Sequence, residues 1–317
     1  MRITRRHLQV SLGSLWFLDG VLQCQPFMFS RAFVRHILAP SVVGQPSVIA
    51  DPLHGIISLV SSEPALANAI FAVIQLGLGL AILNRRFTRA ALGASVAWAL
   101  SVWVVGEGLG GVDTGSTVLN GAPGAALLYA VIAVLAWPSR EGPQDERPSW
   151  LALPVWCALW VMAAGLELIH GNDSSSSLNM MLRDAESNAP GFIAGIDHQL
   201  ARLQPPNWTT AGIVAVFVVV AIWSLIPGWT RQLSIGIGVC VSLVSWFLFQ
   251  GLGDLTSGQA TDPNSGPLLV LLALAVIGAY SSEVPERGAT NDPIATAIRV
   301  DAGGPARTSS PLVVQRT

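Results

Sequence analysis

The sequence has no lysine and few charged residues of any kind. Charged side chains make up 11% of its 317 residues and hydrophobic side chains 51%, and all 17 basic residues are arginines. Because soluble domains carry about a quarter charged residues, most of this chain is not built to face water. The formal net charge of -2 provides no basic surface for a nucleic acid, so we expect no nucleic-acid partner.

Cysteine is scarce, and familiar catalytic motifs are missing. Cys24, Cys157 and Cys240 lie far apart, which fits neither a disulfide framework nor a CxxC metal site. The sequence also contains no Walker motif, no HExxH and no GxSxG nucleophile elbow, the usual signs of nucleotide, zinc-protease and serine-hydrolase chemistry. The sequence therefore leaves open whether the chain is an enzyme and names no cofactor.

Long apolar runs, in contrast, recur along the chain. Each run of about 16 to 20 residues can cross the hydrocarbon of a bilayer if it tilts slightly. Because backbone amides in lipid must be paired within their own segment, the runs predict helices. The predicted spans are 8–25, 66–83, 89–106, 122–137, 150–169, 209–226, 232–249 and 266–281. The predicted fold is all-α and integral to the lipid bilayer, with about eight transmembrane helices.

Arginines are concentrated in the short loops on one side of the predicted bundle. Arg85, Arg86 and Arg89 separate the second span from the third, whereas the longer loops of the other side are rich in acids such as Asp113 and Asp262. By the positive-inside rule, both termini are cytoplasmic and the long loops face outward. We expect a multi-pass protein of a bacterial plasma membrane.

Four sequence blocks recur in the same order at an offset of about 143 residues, which is the mark of an internal repeat. They are LWFLDGVLQ at 15 and LWVMAAGLE at 159, PSVIADPLH at 46 and PGFIAGIDH at 190, WVVGEGLGG at 103 and WFLFQGLGD at 246, and Gly124 and Gly266. The repeat predicts two tandem four-helix units of equal orientation, 1–138 and 150–281. A cytoplasmic linker, 139–149, would join them, and a disordered cytoplasmic tail, 282–317, would follow.

Seven polar residues in or beside the apolar runs are candidate ligand-binding residues. Asp19 lies midway along the first run, where an acid costs about 2.5–3.5 kcal/mol, so we expect it to face the bundle interior. It is either a proton-handling group or a neutral acid hydrogen-bonded between helices. Gln23 lies one turn further on the same face. The other five candidates are His54, Glu107, Glu167, His198 and Gln250.

The repeat places these residues opposite one another. The pairs are Gln23 with Glu167, Glu107 with Gln250, and His54 with His198. Polar positions repeated at one depth indicate a site between helices; the alternative is that they are ordinary helix ends and structural histidines. Histidine also ligates metals and relays protons, which makes His54, His170 and His198 weak metal candidates. Because no M-x-x-M or H-x-H cluster accompanies them, we assign no metal site.

The outer segments, 26–65 and 170–208, are too interrupted to span a membrane. In FSRAFVRHIL, at 29–38, helical spacing puts Phe29, Phe33 and Ile37 on one face. This pattern predicts a short helix in the membrane interface. The stretches around His54 and His198 either lie there too or fold back over the bundle.

Part of the chain resembles the DoxX-like four-helix membrane proteins. The resemblance rests on LGSLWFLDGVLQCQPFMF, two spans split by a basic turn, and GAPGAALLYAVIAVLAW. It covers roughly 8–138 and, more weakly, the second half, although members of that family generally have one unit rather than two. Because the family includes the small membrane subunit of thiosulfate:quinone oxidoreductases, the resemblance implies redox and quinone chemistry but identifies no catalytic residue.

The sequence thus predicts a membrane subunit that binds a small hydrophobic or redox molecule, such as a quinone, near the outer face. We expect a membrane or extracytoplasmic redox partner protein, since the chain shows no cofactor motif of its own. Two alternatives remain open: a transporter or copper-handling protein, and a non-catalytic assembly or scaffold protein.

Overall fold

The computed structural model of the chain describes residues 3–138, 147–170, 174–203, 206 and 208–280, and these residues form helices and turns without a strand. Residues 139–146 of the predicted linker and the whole predicted tail lie outside the described residues. The all-helical fold predicted from the apolar runs is therefore confirmed for the part of the chain described.

Eleven helices of ten residues or more make up the described fold. They are α1 Arg5–Leu22, α2 Ser47–Ser62, α3 Pro64–Leu83, α4 Thr88–Val105, α5 Ala125–Leu135, α6 Ala152–His170, α7 Ser174–Asn188, α8 Gly191–Leu200, α9 Thr209–Ser224, α10 Trp229–Leu248 and α11 Ser265–Tyr280. A helix lies at each of the eight predicted runs. Helices α2, α7 and α8 belong to the outer segments.

Four of the helices, α3, α4, α6 and α10, are long and apolar enough to cross a membrane. Between 28% and 50% of the residues in their most apolar stretches are buried, so much of their apolar surface is exposed. Val73 and Leu80 on α3, for example, are 70% and 57% exposed. Hydrocarbon, not water, is the solvent that suits such a surface. The four helices are consistent with a helical membrane protein, and α2, α5, α9 and α11 are shorter apolar helices.

The ends of two helices differ from the apolar runs for local reasons. Helix α1 begins three residues before its run because the Thr4 side chain caps it, accepting a hydrogen bond from the amide of His7. Helix α5 has only 11 residues, fewer than its run. The backbone of Gly121 and Gly124 is left-handed or otherwise non-helical (φ 117° and 101°), so the helix starts only at Ala125.

Helices α1 and α3 pack very closely. A Cβ added to Gly79 of α3 would lie 2.6 Å from the backbone nitrogen of Phe17, and one added to Gly20 of α1 would lie 2.6 Å from Cγ of Leu76. Small residues at such crossings let two backbones approach, as in other membrane bundles. This close contact sets the position of Asp19, one residue before Gly20 on α1.

The segment 26–42 folds back over the bundle as a chain of short helical turns; we call it the covering segment. Its turns are Pro26–Phe29, Arg31–Phe33, Val34–Leu38 and Ala39–Val42. The predicted face of Phe29, Phe33 and Ile37 is wrong in part: Phe29 is exposed, while Phe33, Val34 and Leu38 are buried against side chains of α2, α3 and α4. The change from α to π turns after Phe33 alters the helical period, which the sequence spacing did not reveal.

Both halves of the chain contribute to one large apolar core. Buried side chains of α1, α3, α4 and α5 and of α6, α9, α10 and α11 belong to the same cluster, with Tyr129 and Trp160 among its largest members. Helices α5 and α11 lie where the halves meet. Residues of the second half can therefore reach a site built mainly by the first.

Candidate ligand-binding site

A left-handed stretch of backbone follows α4 and another follows α10. Residues 108–110 and 251–253, the two GLG sequences, all have φ between 50° and 68°. Glycine adopts this conformation at little cost, whereas a residue with a Cβ is strained there. A Cβ on Gly110 would also overlap the carbonyl oxygen of Pro123. The two glycines of each GLG sequence therefore ease the turn that brings each helix end against the next helix, while Leu109 and Leu252 adopt the same strained φ.

This turn fixes Glu107 at the start of α5. Trp103 donates a hydrogen bond from Nε1 to the carbonyl oxygen of Pro123 (2.7 Å), and Glu107 Oε1 accepts one from the amide of Ala126 (3.0 Å). The helix N-terminus favours an acceptor or a negative charge at this place. The other carboxyl oxygen of Glu107, Oε2, is buried and has no hydrogen-bond partner.

A cavity of about 260 Å³, which we call the inner cavity, lies between α1, α3, α4 and α5 beneath the covering segment. Most of its wall is apolar or aromatic. The aromatic members are Trp16, Phe33, Phe71, Trp98 and Tyr129. Ile56 and Ser101, which also border it, are exposed, so the cavity is not sealed from its surroundings. Its size and lining suit a small, mainly apolar molecule.

Six of the residues that line this cavity, Glu107 included, have a buried polar atom without a hydrogen-bond partner among the described residues. Asp19 is 1% exposed, Gln23 4% and Gln75 6%, and each has a buried oxygen that makes no hydrogen bond. The same holds for Nε1 of Trp98 and for the hydroxyl of Tyr129, which is close to the Asp19 carboxyl without a hydrogen bond of normal geometry. An unpaired buried polar group costs about 1–3 kcal/mol. A ligand in the cavity would supply the missing bonds.

A second, more open and more polar cavity adjoins the first; we call it the outer cavity. Its volume is about 380 Å³, and its wall includes the glycine-rich turn after α4 together with Ser116, Asn120 and Asn264. Glu107 and Asp262 border both cavities. A molecule in the inner cavity could therefore place its polar end at Glu107, where the apolar wall gives way to a polar one.

Burial and neighbouring negative charge raise the pKa of the acids at this junction. Burial first, and then the charge of Asp262, raise the pKa of Glu107 to about 8, against the opposing effect of the α5 amides. Burial also raises the pKa of Asp262, although hydrogen bonds from Thr261 and Asn264 oppose it. At neutral pH Glu107 mainly carries a proton and can donate a hydrogen bond.

Three of the seven candidate residues lie together on the inner cavity: Asp19, Gln23 and Glu107. Gln250 does not face it. The Nε2 atom of Gln250 donates to the carbonyl oxygen of Leu119 (3.2 Å), and its Oε1 accepts from the amide of Gly266 (3.3 Å). Its hydrogen-bonding groups are thus used within the fold.

The remaining candidates lie apart from the inner cavity. Glu167 is 2% exposed, with Thr117 beside it and its Oε2 unpaired. His54 is exposed on α2, and His198 is exposed on α8, 3.0 Å from Glu186. The histidine pair is therefore not brought together with Glu107 in one site.

The weak metal candidates are also separate. His170 lies 3.1 Å from the carbonyl oxygen of Val112, away from the two other histidines. Within the described ranges, no group of three His, Cys, Asp or Glu side chains is arranged to hold a metal ion.

Sequence reasoning missed four polar residues of the site: Gln75, Trp98, Tyr129 and Asp262. A signal existed for two of them. Gln75 interrupts an apolar run, and Tyr129 is one of only two tyrosines in the chain, and polar groups at such positions usually have a role. Asp262 had no such signal, because its place on the wall depends on how the two halves meet.

Comparison with known proteins gives no relative. No family model, curated protein or solved structure matches this chain. The function is therefore inferred from the geometry of the site, and the resemblance to DoxX-like proteins stays a prediction.

Proposed function

We propose that this chain is a membrane protein that binds a small, mainly apolar molecule with a polar group in the inner cavity. The observation that supports this most directly is that six residues lining an apolar, aromatic cavity each have a buried polar atom without a hydrogen-bond partner among the described residues. Buried polar atoms are nearly always paired in folded proteins. Six such unpaired atoms in residues around one cavity suggest a binding site whose hydrogen bonds are completed by a ligand.

A quinone is the ligand class we propose. Its flat ring would pack against Trp16, Trp98 and Tyr129, which border the cavity. Its carbonyl oxygens would accept hydrogen bonds from the Tyr129 hydroxyl, Trp98 Nε1 and protonated Glu107. We propose that electrons pass between the quinone and a partner protein, with this chain as the membrane subunit. This is the role that the resemblance to DoxX-like proteins implies.

We further propose that α1, α3, α4 and α5 form one four-helix unit and α6, α9, α10 and α11 a second, with both termini cytoplasmic. Matching contacts support the duplication. Trp103 and Trp246 each donate to a proline carbonyl oxygen, at 2.7 Å. Glu107 and Gln250 each accept a backbone amide at the start of the following helix. The two tryptophans and the Glu107 and Gln250 positions are 143 residues apart, and their partners in these hydrogen bonds are 140 residues apart.

Quinone binding can be tested with the purified protein in lipid nanodiscs, using menadione to quench tryptophan fluorescence. We expect saturable quenching with one menadione per chain. Replacing Tyr129→Phe removes one hydrogen-bonding group and should weaken binding about tenfold. The matched control is Tyr280→Phe, the other tyrosine of the chain, whose hydroxyl donates to Trp150; it should leave affinity unchanged. Absence of saturable binding, or equal losses in both variants, would count against the proposal.

A transporter is the second candidate. The observation in its favour is that Glu107 and Asp262 border both the inner and the outer cavity. A molecule bound in the inner cavity would therefore have a polar exit route through the outer cavity. Uptake assays comparing Asp19→Asn with the unchanged protein separate the two candidates, because a binding subunit alone gives no uptake to lose.

A further inference from the structure

Three carboxyl groups line the two cavities, and none has a positively charged partner among the described residues. They come from three elements: Asp19 from α1, Glu107 from the turn after α4, and Asp262 from the loop before α11. Asp262 is close enough to both of the others to interact electrostatically. Among the described residues, no arginine or histidine lines either cavity. Acids in such a group disfavour each other's charged forms unless a cation joins them.

Two further features point to a cation as the missing group. Asp19 Oδ1 and Glu107 Oε2 are buried and unpaired, and both residues border the inner cavity. The rings of Trp16, Trp98 and Tyr129 border the same cavity, and Trp16 and Tyr129 also contact each other, with ring centroids 4.4 Å apart. Aromatic rings attract cations, especially where water is excluded. An apolar cavity with aromatic rings and acids suits an organic cation with an apolar body.

We propose that the inner cavity also binds a lipophilic cation, and that Glu107 gives up its proton when the cation enters. This inference rests on the proposed ligand site and adds a ligand class to it. The O–H bond of the Glu107 carboxyl breaks, and the proton leaves through the outer cavity to water. The carboxylate that remains is the counter-ion of the bound cation. No oxidant or reductant is needed.

Glu107 is the acid best placed for this exchange. It borders both cavities, and its pKa of about 8 means that the proton is released at little cost near neutral pH. The titratable groups that line its cavity are Asp19, Tyr129 and Asp262, and Asp262 in turn interacts electrostatically with Asp254. All of these are acids, so each favours a bound cation once ionised.

A matched pair of probes tests the inference directly. Benzyltrimethylammonium and neopentylbenzene have nearly the same shape, but only the first is charged, and its charge does not titrate. Binding of each is measured by equilibrium dialysis against nanodiscs of phosphatidylcholine, with and without the protein. Because the carboxylate form binds the cation, its affinity should rise about tenfold per pH unit from pH 6 to 8 and level off above pH 8. Affinity for neopentylbenzene should not follow this curve.

The variant Glu107→Gln should remove the pH dependence and weaken cation binding at pH 9 by about a hundredfold, to the level of the protonated protein. It should leave binding of neopentylbenzene intact, which also shows that the variant folds. The control Glu63→Gln changes an exposed acid between α2 and α3 and should alter neither probe. Cation binding that keeps its pH dependence in Glu107→Gln, or that is equal for both probes, overturns the inference.

A second variant keeps the test decisive if Glu107→Gln does not fold. Asp262→Asn removes the neighbouring charge, so the midpoint of the pH curve should move to lower pH; an unmoved midpoint contradicts the inference. The two proposals fail separately. If menadione or neopentylbenzene binds but the cation does not, only the cation inference falls. If none of the three binds, the ligand site itself is refuted.

Discussion

At the scale of single residues, the inner cavity is defined by polar groups whose hydrogen-bonding capacity is not used. Asp19 and Gln9 lie on the same helix and are both buried, but they differ in this respect. The Nε2 atom of Gln9 donates to the carbonyl oxygen of Ala136 at 3.0 Å, whereas Asp19 has an oxygen without a partner. Gln9 therefore stabilises the fold, whereas the unpaired oxygen of Asp19 lowers the free energy of unfolding as long as no ligand is bound.

Because of this difference, we expect replacement by leucine to have opposite effects on stability at Asp19 and at Gln9. Asp19→Leu removes an unpaired buried group beside a cavity that has room for leucine, so we expect the free energy of unfolding to rise by about 1–3 kcal/mol. Menadione affinity should fall at the same time. Gln9→Leu breaks a made hydrogen bond and should lower stability. Thermal unfolding in nanodiscs measures both; a loss of stability in Asp19→Leu equal to that in Gln9→Leu would show that Asp19 is bonded within the fold.

At the scale of helices, close packing of α1 on α3 determines which residues face the cavity. Gly79 has no room for a Cβ because the backbone of Phe17 is 2.6 Å from its ideal position, whereas a Cβ on Gly77 would meet nothing within 4 Å. The rotation of α1 about its axis, and hence the direction of Asp19 and Gln23, depends on this contact.

Gly79→Ala should therefore destabilise the protein by about 1–3 kcal/mol through overpacking. It should also weaken menadione binding, because α1 must move away from α3. Gly77→Ala is the matched control on the same helix and should change neither property. Thermal unfolding and fluorescence quenching provide the measurements, and equal behaviour of the two variants would mean that the helix contact is not this close.

At the scale of the whole molecule, loops of each half reach the other half. Ser245 Oγ and Gln250 Nε2 of the second half both donate to the carbonyl oxygen of Leu119 in the first, at 2.6 and 3.2 Å. In the other direction, Asp262 completes the wall of the inner cavity. The two halves differ in how these polar side chains are used. Gln250 forms its hydrogen bonds within the fold, whereas Glu107 has an oxygen without a hydrogen-bond partner among the described residues.

The proposed orientation can be tested by cysteine labelling in whole cells. In a variant with alanine at the three native cysteines, Arg86→Cys lies between α3 and α4, and Asp113→Cys lies between α4 and α5. A membrane-impermeant maleimide should label position 113 in intact cells and position 86 only after permeabilisation, because arginine-rich loops stay in the cytoplasm. Labelling of both positions in intact cells would rule out the orientation and the span between them.

The sequence by itself determined the helical fold and the positions of the eight helices in the apolar runs, because in lipid such runs can pair their backbone groups only as helices. It also gave Asp19, Gln23 and Glu107 as candidates, since polar residues in apolar surroundings are conspicuous. Only the tertiary structure decided that these three meet Gln75, Tyr129 and Asp262 around one cavity while the paired histidines lie elsewhere. The rotation of each helix, and the contacts that loops make with the other half, depend on residues far apart in the chain, such as Gly79 and Phe17. The pattern of residues along the sequence does not contain this information.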